Sequence, residues 1–290
     1  MFIFVLLKQI IMKKVITILA AALAICACSS TKKTAAQKEN GFPAFDQGGK
    51  IAIVAHRGFW DCEAAGHSEN SIASLKAAQD NGFWGSEFDV HLTSDDVVIV
   101  NHDGNIDGLK IQEHTYAELK DHLLPNGEHR PTIDEYLVQG AKSKKTVLVL
   151  ELKSLNTPER EDLLVDKSIA ALKTHGLYKP DRVAFISFSK HICERVAELC
   201  PEFTNQYLNG ELSPDALAKL GINGFDYHQK IVSLGKNWVD RAHELGMSTN
   251  VWTVNKEKDM NKMIEIGVDA ITTNAPLLAR ELLGEREYRK

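Results

Sequence analysis

Past residue 50, the chain alternates short apolar runs rich in β-branched residues with longer amphipathic segments. Nine apolar runs are short enough to be single strands, at residues 51–55, 84–92, 97–100, 146–152, 182–187, 203–208, 223–227, 247–254 and 268–272. Segments with helical spacing lie between most of them, for example residues 71–81, 160–175, 190–199, 237–245 and 256–266. This alternation is typical of repeated βα units and predicts an α/β fold with a parallel sheet.

The second and third runs are separated by only four residues, 93–96, all of turn-forming types. We therefore predict an antiparallel hairpin between these runs. If its return arm lies outside the main sheet, eight strands remain, which is the number that closes a TIM (β/α)8 barrel. The predicted fold is such a barrel, with a β-hairpin extension after the second strand, in one domain over residues 50–290. An open doubly wound sheet is the alternative, but no glycine-rich fingerprint follows the first run.

The register of this hairpin decides where His102 lies. We predict that Leu92 pairs with Val97 across the turn. This register places His102 opposite Glu87 and returns the histidine to the preceding strand. Residues 103–130, the longest stretch without a clear strand, are expected to form a small cap beside this position.

Carboxylates lie at the ends of two predicted strands, which is where functional groups meet in TIM barrels. Glu87 and Asp89 are two residues apart, so their side chains share one face, and Glu151 ends a later strand. Three carboxylates without counter-ions would repel one another at the barrel mouth. Ligands that are all oxygen suit a hard cation and not zinc, so we predict one divalent cation, Ca²⁺ or Mg²⁺, at these residues.

Basic groups accompany the carboxylates at the same strand ends. Arg57 offers a planar fork and Lys153 a point charge, and both suit phosphate oxygens. His56 and His102 could serve as base and acid on a phosphodiester, because the imidazole pKa lies near neutral pH. A lone histidine, or an ion pair of Glu151 with Lys153, would be an ordinary structural feature. The coincidence of all these groups on one rim favours a catalytic site.

Seven short clusters follow one another along the chain: His56-Arg57-Gly58, Glu69-Asn70-Ser71, Glu87-Phe88-Asp89-Val90, Asn101-His102-Asp103, Glu151-Leu152-Lys153, Trp252-Thr253-Val254-Asn255 and Thr272-Thr273-Asn274-Ala275-Pro276. In this order they resemble the motif set of the glycerophosphodiester phosphodiesterase family, over about residues 51–283. The resemblance implies a TIM-barrel enzyme that hydrolyses glycerophosphodiesters to sn-glycerol 3-phosphate and an alcohol, using a divalent metal.

The resemblance also assigns roles to the strand-end residues already named: acid and base to His56 and His102, metal ligation to Glu87, Asp89 and Glu151, and phosphate contact to Arg57 and Lys153. It further implies that Trp252 packs against the glycerol side of the pocket, although a tryptophan there could equally fill the barrel. The sequence departs from the family at Ser71, where threonine is common. Residues 59–67 form a loop without a match, which leaves the choice of substrate open.

Two other functions are compatible with these residues. One is a phospholipase C- or D-like phosphodiesterase that acts on intact lipid, and the other is a non-catalytic lipoprotein that binds lipid head groups. The pairing of Glu151 with Lys153 favours the glycerophosphodiester substrate. The presence of both histidines and all three carboxylates argues against a loss of catalysis.

The first residues have the features of an export signal. Two lysines precede an apolar run at residues 15–25, which is too short to span a membrane comfortably. The sequence Ile25-Cys26-Ala27-Cys28 resembles the bacterial lipobox. We predict a signal peptide and lipobox over residues 1–28, lipidation of Cys28, and a flexible polar tether over residues 29–49. The expected product is an exported bacterial lipoprotein, periplasmic or associated with the outer membrane; a plain secretory signal or an uncleaved anchor is the alternative.

Charge and cysteine content narrow the range of partners. The formal net charge is −5, and it would be −8 without the first 27 residues, which contain three lysines and no acid. An acidic chain without clustered basic residues argues against nucleic acid as a partner. Cys62, Cys193 and Cys200 lack the spacing of a metal site and are expected to be core or free thiols, although an oxidising compartment would allow a disulfide. The expected partners are a small glycerophosphodiester and the membrane that holds the lipid anchor.

Overall fold

The structure, a computed structural model, describes residues 50–234 and 237–284. The predicted signal peptide, lipobox and tether lie outside these described residues and stay predictions. Within the described ranges, none of the helices has both the length and the apolar character needed to cross a membrane.

All nine apolar runs contain a strand, and two further short strands lie in the predicted cap. The strands are β1 (Ala52–Ala55), β2 (Gly85–Leu92), β3 (Val98–Val100), β4 (Asn105–Ile106), β5 (Leu109–Lys110), β6 (Val147–Leu152), β7 (Val183–Ser187), β8 (Thr204–Tyr207), β9 (Gly224–His228), β10 (Ser248–Trp252) and β11 (Ala270–Thr273). Eight of them pair in parallel in the order β1, β2, β6, β7, β8, β9, β10, β11, and β1 also pairs with β11. The sheet therefore closes, and the predicted TIM barrel is confirmed.

Helices connect most of the barrel strands. They are α1 (Ile72–Asp80), α2 (Tyr116–Leu119), α3 (Ile133–Gly140), α4 (Pro158–Thr174), α5 (Lys190–Leu199), α6 (Pro214–Lys219), α7 (Gln229–Val232), α8 (Trp238–Glu244), α9 (Glu257–Ile266) and α10 (Pro276–Leu282). The five predicted helical segments match α1, α4, α5, α8 and α9 to within two residues at each end. Local chemistry explains these starts: the Ser71 side chain caps α1, and the Thr157 side chain with Pro158 at the first position begins α4.

Alternation along the strands divides the core between the inside of the barrel and the layer under the helices. On β1, Ala52 and Val54 belong to a small cluster made of strand residues, whereas Ile53 and Ala55 pack with residues of the helices. Small and branched aliphatic side chains form this inner cluster, and the functional polar groups lie at the strand ends. Cys193 and Cys200 are buried free thiols and Cys62 is a half-buried one, as predicted.

The hairpin of β2 and β3 forms, but its register differs from the prediction by one residue. Leu92 lies opposite Val98, so the predicted pairing of Leu92 with Val97 is wrong. The turn takes up the extra residue: the Thr93 N–H donates to the Val97 carbonyl (3.0 Å), and the Val97 N–H donates to Thr93 Oγ1 (2.9 Å). Asp96 accommodates this five-residue turn with a left-handed φ of 62°.

Residues 103–130 form the cap, with β4, β5 and α2 around a small apolar cluster. Ile106, Ile111 and Leu119 of the cap pack on Ile99 of β3. The carboxylate of Glu128 accepts hydrogen bonds from the first backbone N–H groups of α1 (2.9 and 3.3 Å). This contact ties the cap to the segment that follows β1, because the free N–H groups of a helix start favour a negative charge.

Candidate active site

The three carboxylates predicted to bind metal meet inside the barrel, at the C-terminal end of its strands. β2 and β6 pair in parallel with Asp89 directly beside Glu151. Each of the three, Glu87, Asp89 and Glu151, has one carboxylate oxygen within 4.8 Å of an oxygen of the other two, and all three side chains are buried. The period of two along β2 puts Glu87 on the same face as Asp89, and the register with β6 adds Glu151.

Lys153 lies between two of these carboxylates. Its Nζ is 2.7 Å from Asp89 Oδ1 and 2.6 Å from Glu151 Oε1. Burial acts to raise the pKa of Asp89, but the charge of Lys153, helped by His102 and by hydrogen bonds, lowers it to about 2. Like charges side by side on neighbouring strands repel, so this ammonium stabilises the register of β2 with β6. The predicted contact of Lys153 with phosphate is not tested by this arrangement.

Glu87 and Glu151 differ from Asp89 in their ionisation. Burial, followed by the charge of Asp89, raises the pKa of Glu87 well above its ordinary value and that of Glu151 to about 7. Glu87 Oε2 accepts the backbone N–H of Arg57 (2.7 Å), and Glu87 Oε1 is buried without a hydrogen-bond partner. Ionising all three carboxylates therefore requires more positive charge than Lys153 supplies. The all-oxygen donor set and the unpartnered Glu87 oxygen fit a hard divalent cation.

Asn70 holds Asp89 in place, a role that the sequence analysis did not assign. Its Nδ2 donates to Asp89 Oδ2 (2.8 Å), and its Oδ1 accepts the backbone N–H of Asp89 (3.1 Å). Asn70 is buried and has a left-handed φ of 54°, which asparagine tolerates better than most residues. It lies in a loop without periodicity, so the only sequence signal was its place in the Glu69-Asn70-Ser71 cluster.

Arg57 and Gly58 carry the chain out of β1 in a left-handed turn, with φ of 55° and 78°. A Cβ on Gly58 would lie 2.3 Å from Ser74 Oγ and 2.7 Å from the Ser74 carbonyl carbon, so this close approach requires glycine. The Arg57 guanidinium pairs with Glu69 (2.8 Å), and its Nε lies 3.9 Å from Asp89 Oδ2. That Nε is buried and has no hydrogen-bond partner, which leaves a donor directed at the carboxylate cluster.

His56 follows β1 and lies against the same cluster. Its Nε2 is 3.9 Å from Glu87 Oε2, and its Nδ1 is 2.7 Å from Asn274 Oδ1. Burial, and then the charge of Arg57, lowers the pKa of His56 to about 4, so the imidazole is neutral at pH 7. Asn274 follows β11, and the rule that barrel sites lie at strand ends could have singled it out.

The hairpin brings His102 to the site in a shifted position. The backbone N–H of Asn101 donates to the Asp89 carbonyl (3.1 Å), so the prediction that His102 lies opposite Glu87 is wrong by one residue. The His102 imidazole still lies close enough to Asp89 to contribute to lowering its pKa. Its Nδ1 is 2.7 Å from Asp103 Oδ1, and the side chain is 34% exposed.

Three hydrogen bonds fix the backbone around His102. His91 Nε2 is 3.1 Å from the His102 carbonyl oxygen, and Asn101 Nδ2 donates to the Asp103 carbonyl (2.7 Å). Arg130, at the end of the cap, donates through Nε to Asn101 Oδ1 (2.8 Å). The cap therefore positions the second histidine as well as the start of α1.

Trp252 ends β10, on the side of the barrel mouth across from β6. Its ring meets Phe188 and His228 edge-on, with centroids 5.4 and 5.2 Å apart, and its Nε1 donates to the Asp226 carbonyl (3.0 Å). The ring is half-buried. Its predicted contact with the glycerol of a substrate is not tested by these contacts.

Comparisons with known proteins agree with this geometry. The sequence profile of the Glycerophosphoryl diester phosphodiesterase family matches residues 56–278. The chain is 28% identical over 243 residues to a protein of Caldanaerobacter subterraneus subsp. tengcongensis named glycerophosphodiester phosphodiesterase, covering 78% of this chain and 95% of that protein. A protein of the same name from Bacillus subtilis is also 28% identical, over 78% of this chain and 84% of that protein. A crystal structure of a glycerophosphodiester phosphodiesterase from Parabacteroides distasonis is similar with a TM-score of 0.78 at 45% identity, covering 82% and 98% of the two chains.

Proposed function

Because the chain belongs to the Glycerophosphoryl diester phosphodiesterase family and is a phosphodiesterase, we propose that it hydrolyses glycerophosphodiesters to sn-glycerol 3-phosphate and an alcohol with two histidines and a divalent cation. One observation carries the detail of this proposal. The buried cluster of three carboxylates meets a half-buried neutral histidine, with Glu87 Oε2 3.9 Å from His56 Nε2. A cation site beside a proton acceptor suits the metal-assisted hydrolysis of a phosphodiester.

Glu87, Asp89 and Glu151 would hold the cation, calcium or magnesium, because these ions prefer oxygen ligands. When bound, the cation would neutralise negative charge on the phosphate and make the phosphorus more open to attack. Arg57 directs an unpartnered Nε at this cluster, and Lys153 contacts two of its carboxylates. We propose that the guanidinium of Arg57 and the ammonium of Lys153 bind the phosphate oxygens of a substrate and the additional negative charge of the transition state.

We assign the base to His56 and the acid to His102. The neutral His56 imidazole takes a proton from the glycerol 2-hydroxyl or from water as that oxygen forms its bond to phosphorus. The bond from phosphorus to the leaving alcohol breaks, and His102 gives the departing oxygen a proton. When the 2-hydroxyl is the attacking group, the product is a cyclic phosphate, and water opens it to sn-glycerol 3-phosphate in a second step. In that step His102 takes a proton from the water, and His56 returns its proton to the 2-oxygen. Its partly exposed position, with Nδ1 oriented by Asp103, suits a group that meets the leaving alcohol at the rim.

The test is hydrolysis of glycerophosphocholine and glycerophosphoethanolamine, followed through sn-glycerol 3-phosphate dehydrogenase. His56→Ala and His102→Ala should each lower kcat at least about 100-fold while the circular dichroism spectrum stays that of the wild type. His175→Ala is the matched control, because His175 pairs with Asp134 (2.8 Å) and plays no part in the site. Hydrolysis by both site variants at nearly the wild-type rate would rule out the acid and base assignment.

Two further arms test the cation and the substrate. A chelator should abolish turnover, and adding calcium or magnesium back in turn should restore it and identify the preferred ion; chelator-resistant turnover would contradict the cation site. Intact phosphatidylcholine and sphingomyelin, offered beside the deacylated head groups, should release no product. Preferential cleavage of the intact lipids would instead indicate the phospholipase-like function.

We also propose that the protein is an exported lipoprotein anchored through Cys28. Support comes from the sequence alone: two lysines, a short apolar run and the Ile25-Cys26-Ala27-Cys28 stretch. Cys28→Ser should abolish incorporation of labelled palmitate and release the protein from the membrane fraction. Cys26→Ser is the matched control and should leave both unchanged. Membrane retention and labelling of Cys28→Ser would contradict the anchor.

A further inference from the structure

Trp60 contacts the same amide as His56. Trp60 Nε1 is 3.4 Å from Asn274 Oδ1, and this oxygen is 2.7 Å from His56 Nδ1. Trp60 lies in the loop of residues 59–67, which has no match in the motif set of the family. One asparagine side chain therefore joins a tryptophan without an assigned role to the residue proposed as base.

The chemistry of the indole decides which way the amide faces. An indole N–H can only donate, so it requires an acceptor opposite it. If the amide of Asn274 were rotated by half a turn, its NH₂ group would face the Trp60 N–H, and two donors would oppose each other. Trp60 therefore favours the orientation in which Oδ1 faces both Trp60 and His56.

The orientation of the amide in turn decides the tautomer of His56. A carbonyl oxygen only accepts, so the hydrogen bond to Asn274 Oδ1 requires a proton on His56 Nδ1. A neutral imidazole carries one proton, and Nε2 is then bare. Nε2 is the ring nitrogen that faces Glu87, at 3.9 Å, so this tautomer presents its lone pair to the carboxylate cluster.

The rest of Asn274 is already fixed, which leaves rotation of the amide as the remaining freedom. Its backbone N–H donates to Asn255 Oδ1 (2.9 Å), and the same oxygen accepts the Thr273 hydroxyl (3.2 Å). The backbone N–H of His56 donates to the Thr273 carbonyl (3.0 Å). Backbone contacts hold both partners in place, and they do not discriminate between the two amide orientations.

We propose that Trp60 is a positioning residue that acts through Asn274 to hold His56 in the tautomer with Nδ1 protonated and Nε2 free. The proposal rests on the proposed function, in which His56 is the base, and deepens it by naming what prepares that base. Without the indole, both orientations of the amide pair with His56: Oδ1 with a protonated Nδ1, or the NH₂ group with a bare Nδ1. In the second orientation the proton of the imidazole is on Nε2, so this nitrogen cannot accept a proton from the attacking group.

The test is Trp60→Phe in the full chain, because phenylalanine keeps an aromatic ring and removes only the N–H donor and part of the ring. Histidine labelled with ¹⁵N, at about pH 8 where imidazole is neutral, distinguishes protonated from bare ring nitrogens, and His56→Ala identifies the signals. The wild type should show Nδ1–H for His56 and Trp60→Phe a mixture of both tautomers. The value of kcat should fall about three- to tenfold with KM within about twofold, as for the loss of one hydrogen bond. Trp84→Phe, which lies before β2 at the opposite end of the barrel, should change neither the tautomer nor kcat.

Asn274→Asp supplies a second and decisive background, because a carboxylate presents acceptors only and has no wrong orientation. In Asn274→Asp, adding Trp60→Phe should leave the tautomer unchanged and lower kcat less than about twofold, a non-additive cycle. A wild-type His56 with Nε2–H, a Trp60→Phe spectrum like the wild type, or equal kcat losses in both backgrounds would each overturn the proposal. The tautomer is read without turnover, so an active His56→Ala would refute the proposed base and leave this measurement intact.

Discussion

Two buried aspartates on opposite sides of the barrel have pKa values that are shifted in opposite directions. Asp89 on β2 and Asp226 on β9 stand four strands apart in the ring of eight, and each is 1% exposed. Burial acts to raise both pKa values. At Asp89 the charge of Lys153 outweighs burial and lowers the pKa to about 2, whereas at Asp226 the charge of Glu151 adds to burial and the pKa lies well above its ordinary value. Equal burial thus permits a charged or a neutral acid, depending on the nearest cation.

The surroundings of Asp226 match a neutral acid. Asn250 Nδ2 donates to Asp226 Oδ2 (3.1 Å) and lies 3.0 Å from Thr272 Oγ1, while Asp226 Oδ1 has no hydrogen-bond partner. Among the described residues, Asp226 forms no ion pair. One half of the barrel therefore contains the charged cluster of Asp89, Glu151 and Lys153. The other half, called the neutral half below, contains hydrogen-bonded polar side chains around Asp226.

The largest expected difference between the two aspartates is in catalysis. Asp89→Asn should lower kcat by about three orders of magnitude, because it removes a candidate metal ligand and leaves Lys153 without one of its partners. Asp226→Asn is the matched change and should stay within about twofold of the wild type. Rates measured with glycerophosphocholine compare the two. Similar losses in both variants would mean that the neutral half of the barrel also takes part in the reaction.

The second prediction concerns stability on the charged side. Lys153→Met leaves Asp89 and Glu151 adjacent without their shared cation, which should lower the free energy of unfolding by about 3 kcal/mol in chelator. Calcium or magnesium should restore part of this loss, because the ion takes the place of the missing charge. Urea unfolding with and without the ion measures both effects. A variant as stable as the wild type in chelator would show that the carboxylates are neutral without Lys153.

The pattern of apolar runs predicted the barrel because each strand and helix of a βα unit has its own periodicity in the sequence, and a series of such units forms a parallel sheet. Nine apolar runs and one short turn were therefore enough to predict eight barrel strands and a hairpin. The rule that functional groups lie at strand ends then selected His56, Glu87 and Glu151. These predictions needed no knowledge of individual side-chain contacts.

What failed or was missed depends on such contacts. The predicted register of the hairpin was wrong by one residue because Val97 belongs to the turn, where it forms hydrogen bonds with Thr93. The residue types in the turn do not determine these hydrogen bonds. The roles of Asn70 and Asn274 appeared only when their amides could be matched to Asp89 and His56 across the barrel. Residues in loops lack the periodicity from which position is read.

The third prediction uses pH to test the neutral state of Asp226. Its folded pKa is raised, so the folded state keeps a proton that the unfolded state releases above about pH 4, and stability falls as pH rises from there. Asparagine cannot ionise, so the Asp226→Asn variant does not lose this contribution to stability as the pH rises. The stability of Asp226→Asn relative to the wild type should therefore increase continuously as the pH rises from about 4 to about 7. A difference that is flat with pH, measured by urea unfolding, would show that Asp226 is charged in the fold.

The smallest expected effect tests whether the neutral half contacts substrate at all. Trp252→Phe removes the hydrogen bond from Nε1 to the Asp226 carbonyl and shrinks a ring at the barrel mouth. If this ring packs against glycerol, KM for glycerophosphocholine should rise about two- to threefold with kcat unchanged, and stability should fall by about 1 kcal/mol. Trp84→Phe is the control, since Trp84 packs on the same interior cluster but precedes β2, at the other end of the barrel. An unchanged KM with equal loss of stability in both variants would make Trp252 a filler of the barrel, and the neutral half would then serve the reaction only by keeping the charged half in place.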